Sequence, residues 1–278
     1  LVFSPHPDDD VISMGGILHK LVQNGNDIRV AYMTSGNIAV FDHDVRRYVD
    51  FLQRLARDRG VGGAQVDDIA AAVLAFLARK EPGAVDLPEV QDLKRIIREA
   101  EAVSGLETIG LSATNARFLN LPFYRTGRVK KEEISGRDVQ IVRALIEEVR
   151  PEIIFVAGDL SDPHGTHRMC KEAIDAALTD LWPDRRTTHL PEIWLYRGAW
   201  QEWPVTDATW LVPMSQEELR LKIQAIFKHQ SQKDSAPFPG TDDREFWQRV
   251  ESRNKETAAV LDRLGLAEYF AMEAYVVE

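Results

Sequence analysis

The segment from Leu1 to Thr34 constrains the fold more than any other. Leu1-Val2-Phe3-Ser4 is a short apolar run that stops at Pro5-His6-Pro7-Asp8-Asp9-Asp10. Val11, Ile12, Ile17, Leu18, Leu21 and Val22 then recur at three-to-four spacing until Asn24-Gly25-Asn26, which predicts a helix. Ile28 to Thr34 is again strand-like and is closed by Ser35-Gly36-Asn37. Strand, helix and strand at this spacing make a βαβ unit, with parallel strands and a right-handed crossover.

The alternation continues down the chain. Asp42 to Gly105 predicts mostly helix, broken at Gly60-Val61-Gly62-Gly63 and at Glu81-Pro82-Gly83. Arg117-Phe118-Leu119 predicts a short strand, and Val139 to Val149 an amphipathic helix ended by Arg150-Pro151. Glu152 to Ala157 is a third clear strand, and a helix runs through Met169-Cys170 to Leu178. Glu192 to Tyr196 predicts a strand, Gln216 to His229 and Arg244 to Leu264 predict helices, and Met272 to Val277 predicts the last strand. Together these predict a three-layer α/β/α, Rossmann-like fold with a mostly parallel sheet. No repeat and no linker divides the chain, so residues 1–278 read as one domain.

Composition narrows the partners. Hydrophobic residues at 44% and charged residues at 28% fit a folded globular chain and exclude a disordered or collagen-like one. The 34 Lys and Arg against 44 Asp and Glu leave a net charge of −10, which disfavours nucleic acid and anionic membrane as partners. No apolar run reaches the roughly 18 residues of a membrane span, and no basic-then-apolar leader is visible. The single cysteine, Cys170, has no internal partner and fits a reducing, cytoplasmic setting. A chain that opens at Leu1 without an initiator Met reads as trimmed, or as one portion of a longer polypeptide.

In an open α/β sheet, ligands bind beyond the carboxyl ends of the strands. Two segments at such ends carry metal-ligand side chains: His6-Pro7-Asp8-Asp9-Asp10, and Asp159 to His167 with His164 and His167. A catalytic zinc takes three N or O ligands and keeps a position open. One His and one carboxylate from the first loop, with one His from the second, would supply that set. Plainer readings exist: Asp8 or Asp9 as a helix N-cap, and His164-x-x-His167 as a surface feature on one face of a helix start. Both clusters at the strand ends of one sheet favour the metal.

The pattern Ser4-Pro5-His6-Pro7-Asp8-Asp9, Gly15-Gly16 and His164-x-x-His167 resembles the LmbE-like (PIG-L) family of zinc-dependent N-deacetylases. Arg98-x-x-Glu101, Phe118-Leu119-x-Leu121-Pro122 and His229-Gln230-Ser231-Gln232 extend the resemblance over most of the chain. The run from Ala157 to His167 resembles a bacterial subgroup fused behind a glucosamine-6-phosphate deaminase-like domain. The resemblance implies Zn2+ as cofactor, with His6, Asp9 and His167 as ligands. It makes Asp8 the general base, and His164 the group that polarises the carbonyl and protonates the departing amine. The substrate it implies is a small-molecule N-acetylglucosamine-type amino sugar or conjugate, with a covalently fused deaminase-like domain and homo-oligomerisation left open as partners. Its alternative is a metal-binding accessory or regulatory domain of such a fusion, with little hydrolytic activity of its own.

Relatives of this kind often carry Asp where this chain has Thr166, so Asp162 or Asp159 is expected to orient His164. Asp8 and Asp9 are expected to diverge as neighbours in an extended loop do. Arg98 is expected to meet a substrate hydroxyl or phosphate, with a helix-surface arginine as the plain alternative. His229 and Gln230 are candidate substrate contacts or a helix C-cap. Arg197, Arg244 and Arg253 are weaker anion candidates; Trp200, Trp203 and Trp247 are a sugar wall or core packing. Gly15 and Gly16 lack dinucleotide-fingerprint spacing and are expected to permit close helix packing, and Cys170 is expected to be a buried, inert thiol.

Overall fold

The computed structural model describes residues 1–60, 62–128, 130–160, 162, 164–183, 190–198, 201–233 and 244–278. Seven strands form one sheet: β1 (Val2–Ser4), β2 (Val30–Tyr32), β3 (Ala116–Phe118), β4 (Ile153–Ala157), β5 (Glu192–Tyr196), β6 (Trp210–Met214) and β7 (Ala271–Val277). Their order is β3-β2-β1-β4-β5-β7-β6. The pairs among the first five strands are parallel, with Val2 opposite Val30 on one side and Phe155 on the other. β7 runs antiparallel to both β5 and β6.

Side chains alternate across this sheet with period two, and each face is covered by helices. Val2, Val30, Tyr32, Phe155 and Ala157 meet α1 (Asp9–Gln23), α4 (Pro88–Thr108), α7 (Gln216–Ile226) and α8 (Phe246–Arg263) in one core. Leu1, Phe3, Ala31, Ile154 and Val156 meet α5 (Gly136–Val149) and α6 (Thr166–Leu181) in the other. α2 (Asp42–Arg59) and α3 (Gly63–Leu77) form a hairpin with a small core of its own against Val90 of α4.

The three-layer, mostly parallel architecture expected from the sequence is the one observed. Strand β6 was not expected. It contains Pro213, which reads as a break in sequence; an edge strand tolerates it because one side of the backbone needs no ladder partner. The helix expected to run to His229 ends at Ile226, and a short 3₁₀ turn at Gln230–Gln232 follows.

α1 is drawn close to its neighbours where Gly15 and Gly16 lie. A Cβ on Gly15 would sit 2.7 Å from Lys222 Cγ, and one on Gly16 would meet Met214 Sδ and stand 3.0 Å from Glu273 Oε1. The glycines make room for a buried ion pair: Lys222 Nζ is 2.7 Å from Glu273 Oε1. The Glu273 carboxylate also accepts from Gly16 N at 2.8 Å, Ile17 N at 2.9 Å and the Tyr275 hydroxyl at 2.8 Å. Close packing is thus the role observed for both glycines.

Candidate metal centre

Strand order reverses between β1 and β4, and in an open α/β sheet the loops at that point form a crevice. The loop after β1 leads into α1, and the loop after β4 leads into α6. Ser4 Oγ donates to His6 O at 2.6 Å and accepts from Asp10 N at 3.1 Å, which folds the first loop over the start of α1. Thr34 at the end of β2 donates through N and Oγ1 to Pro5 O, at 3.1 and 2.7 Å. In the second loop Asp162 caps α6, accepting from Thr166 N at 2.7 Å and His167 N at 3.2 Å. Gly165 turns the chain into that helix at φ 68°, a conformation glycine takes without strain.

These two loops bring three donors together. Asp9 Oδ2 is 3.1 Å from His6 Nδ1 and 3.2 Å from His167 Nε2. One ligand atom from each of His6, Asp9 and His167 lies within 4.8 Å of the others. His167 Nδ1 is 2.9 Å from the backbone carbonyl of Asp159. A carbonyl only accepts, so Nδ1 carries a proton and Nε2 is the nitrogen turned to Asp9. Asp9 and His167 are buried, whereas His6 keeps some exposure. Burial alone would raise the Asp9 carboxyl, but His167 and then His6 outweigh it and hold it far below the usual range. Burial alone would lower His167, but Asp9 raises it to about 9. Two imidazoles and a carboxylate converging on one point suit a divalent cation.

Asp8 faces elsewhere. It occupies the N-cap position of α1, with no side-chain capping bond, and its Oδ1 is 3.1 Å from Arg98 Nη2. The divergence of Asp8 and Asp9 therefore arises at a helix start rather than in an extended loop. Arg98 is 1% exposed, so it is not a surface arginine. Its Nη1 stands 4.0 Å from Glu101 Oε2, and Glu101 accepts from Ser231 N at 2.8 Å and Ser231 Oγ at 2.6 Å. The Arg98-x-x-Glu101 and His229-to-Gln232 motifs thus meet behind Asp8.

His229 is buried, and among the described residues neither ring nitrogen has a hydrogen-bond partner. It occupies the N-cap position of the 3₁₀ turn at Gln230–Gln232, but its ring makes no capping bond. It lines a narrow cleft with Asp8, Ile12, Phe227 and Trp247. Gln230 is exposed and donates to Phe227 O.

His164 is half-buried and precedes α6, so it does not share a helical face with His167. Burial and the Lys131 ammonium lower its pKa, against a pull upward from Asp162. That direction favours neutral imidazole, whereas the role of protonating a departing amine calls for the imidazolium. The Asp162 carboxylate caps α6, and the Asp159 carbonyl orients His167. Lys131 carries no helical or strand periodicity around it, and sequence reasoning missed its place beside His164.

The remaining candidates have structural partners. Arg197 donates to Gly158 O at 3.2 Å and stacks 3.6 Å above Trp203, whose Nε1 donates to Leu195 O at 3.0 Å. Arg253 donates to Gly198 O, and Arg244 to Ser252 Oγ at 2.9 Å. Cys170 is buried and its thiol is pushed well up by burial, as an inert core residue. Trp200, Ser161 and Pro163 lie outside the described residues.

Comparison with known proteins places this geometry. A putative glucosamine-6-phosphate deaminase-like protein of Bacteroides thetaiotaomicron is 47% identical over 99% of this chain. The chain spans 42% of that relative's length. Among solved structures, the fold is similar to the 4-carboxy-2-hydroxymuconate hydratase GalB of Pseudomonas putida, with TM-score 0.59, 15% identity and coverage of 100% and 93% of the two chains. It is also similar to the N,N'-diacetylchitobiose deacetylase of Pyrococcus horikoshii, with TM-score 0.56, 18% identity and coverage of 100% and 82%. The model of the GlcNAc-PI de-N-acetylase (PIG-L) family matches residues 1–178, which contain both ligand-bearing loops. The chain belongs to the GlcNAc-PI de-N-acetylase (PIG-L) family.

Proposed function

We propose that the chain is a zinc-dependent hydrolase that removes the N-acetyl group from an N-acetylglucosamine-type amino sugar or its conjugate. The observation that carries this reading is the convergence of His6, Asp9 and His167 with a second carboxylate, Asp8, next in the chain. His6, Asp9 and His167 would hold the metal. When bound, zinc supplies Lewis acidity, bringing the pKa of water down to about 7 and polarising an amide carbonyl.

The chain's own residues do the rest. Asp8 accepts a proton as water attacks the amide carbon, and the Arg98 guanidinium holds its carboxylate in place. His164, neutral at rest, donates its N–H to the carbonyl oxygen as negative charge develops there. The proton held by Asp8 then passes to the amine nitrogen as the C–N bond breaks, and the second water proton leaves with the acid. His229 lines the cleft beside Asp8 with unmatched ring nitrogens, and we assign it to substrate hydroxyls. Arg98 acts on substrate through Asp8.

The fold itself does not choose this reaction, since a hydratase shares it. The family description and the deacetylase neighbour support amide hydrolysis. The relative's deaminase-like name supports a place within a longer amino-sugar enzyme, with residues 1–278 as one unit. Incubating zinc-loaded protein with N-acetylated amino sugars, free and phosphorylated, and assaying free amine tests the proposal. Amine release that disappears in Asp8→Asn is the expected result. Failure to release amine from any member of the panel would leave the accessory-domain reading standing.

A further inference from the structure

Among the described residues, the α2–α3 hairpin leaves an apolar face without a partner. Its inner side is filled, since Val45 and Val49 pack with Ala70, Val73 and Leu77 of α3. Beside that buried side, α2 carries Tyr48, Phe51, Leu52 and Leu55, which are 40%, 62%, 39% and 40% exposed. Positions i, i+3, i+4 and i+7 make one stripe on an α-helix. α3 adds Ile69 to the exposed apolar surface, and its only charges are Asp67 and Asp68. A helix of that composition is ordinarily buried all round; in α3 only Ala70, Val73 and Leu77 are. The exposed part of these five large side chains is on the order of 400 Å², close to the apolar share of one side of a standard interface of about 800 Å² per partner.

The charges along the stripe say what covers it. Arg47, Asp50, Arg54 and Asp58 lie three and four residues apart and so form a row on the side away from the buried face, with Arg57 beside it. Their signs alternate plus, minus, plus, minus. Turned end for end, the row reads minus, plus, minus, plus. A second copy laid antiparallel sets Arg47 near the partner's Asp58 and Asp50 near the partner's Arg54, each twice. The same two-fold puts Tyr48 over the partner's Leu55 and Phe51 over the partner's Leu52. A parallel two-fold would turn the two rows to opposite flanks of the seam, where they would not meet. Within one chain Arg54 already pairs with Asp50 at 3.0 Å, and Arg47 with Asp44 at 2.9 Å. The exposed Arg54–Asp50 pair is weak and exchanges readily, whereas the Asp44 beside Arg47 is buried.

We propose that α2 is a self-association surface on which two copies of this chain pack antiparallel about a two-fold axis between Phe51 and Leu52. The contact is isologous, so it closes at the dimer. It is independent of the metal centre and of the reaction assigned to it.

Sedimentation equilibrium of the chain over a micromolar concentration range tests this. The parent is expected to be dimeric and Phe51→Glu monomeric, with unchanged helix content by circular dichroism. Asp50→Arg with Asp58→Arg makes the row wholly positive; Arg47→Asp with Arg54→Asp makes it wholly negative. Each double variant alone should associate at least about tenfold more weakly than the parent, and an equimolar mixture should recover the dimer. A monomeric parent would overturn the proposal and point to another segment or protein as the cover. So would a Phe51→Glu dimer, or charge variants that associate as the parent does.

Discussion

Asp8 and Asp9 are neighbours in the chain with different partners, Arg98 for the first and two imidazoles for the second. Asp8→Asn keeps shape and hydrogen bonding but cannot take a proton, so turnover should fall by about 10²–10⁴-fold while metal content stays. Asp9→Asn should lose metal first, because an amide is a poorer ligand than a carboxylate. Elemental analysis beside kinetics checks both, and metal loss in Asp8→Asn with retention in Asp9→Asn would reverse the assignment. His229 gives a pH-dependent prediction. Burial lowers its imidazole from 6.5 to about 4, so the unfolded chain takes up that proton first as pH falls. The resulting stability is complete above pH 6.5 and lost between 6.5 and 4, by up to about 3 kcal/mol. Acid-unfolding curves of the parent should therefore be steeper in that window than those of His229→Gln; parallel curves would contradict it. That the loops carrying His6, Asp9 and His167 converge was legible in sequence because each loop follows a strand end; which of their side chains meet came from the family resemblance. The partner of Asp8 was not legible. Arg98 lies on a helix far along the chain, and helical periodicity does not reveal a contact between distant segments.

At the scale of elements, α1 carries both carboxylates at its start and is fixed further along by Glu273 of β7. The Lys222–Glu273 pair is almost fully buried, and removing one partner strands the other charge. Lys222→Met should lower unfolding free energy by about 3–5 kcal/mol, measured by urea denaturation. A loss under about 1 kcal/mol would show that the carboxylate finds other compensation. Gly16→Ala should cost about 1–3 kcal/mol through overpacking against Met214 and Glu273. Such contacts explain what local pattern missed. Gly15-Gly16 signalled close packing without naming the neighbour, because Lys222 and Glu273 belong to late elements. β6 was hidden by Pro213 and is recognisable only once β7 lies beside it. The parallel strands were plain in sequence because burial on both faces makes them nearly continuous apolar runs.

At the scale of the molecule, the reversal of strand order between β1 and β4 puts two loops at one edge of the sheet and brings together His6, Asp9 and His167, a group that could hold a metal ion. The same sheet supports a hydratase and a deacetylase at 15% and 18% identity, so the reaction belongs to the side chains rather than the frame. In the proposed function, His6, Asp9 and His167 hold one catalytic zinc at which an amide is cleaved. The most direct test strips the protein with a chelator and titrates zinc back while following amine release from an N-acetylated amino sugar. Stripped protein should release no amine, and recovery should be linear with a break at one equivalent of zinc per chain. Release that survives stripping, or recovery with no break at one equivalent, would contradict it.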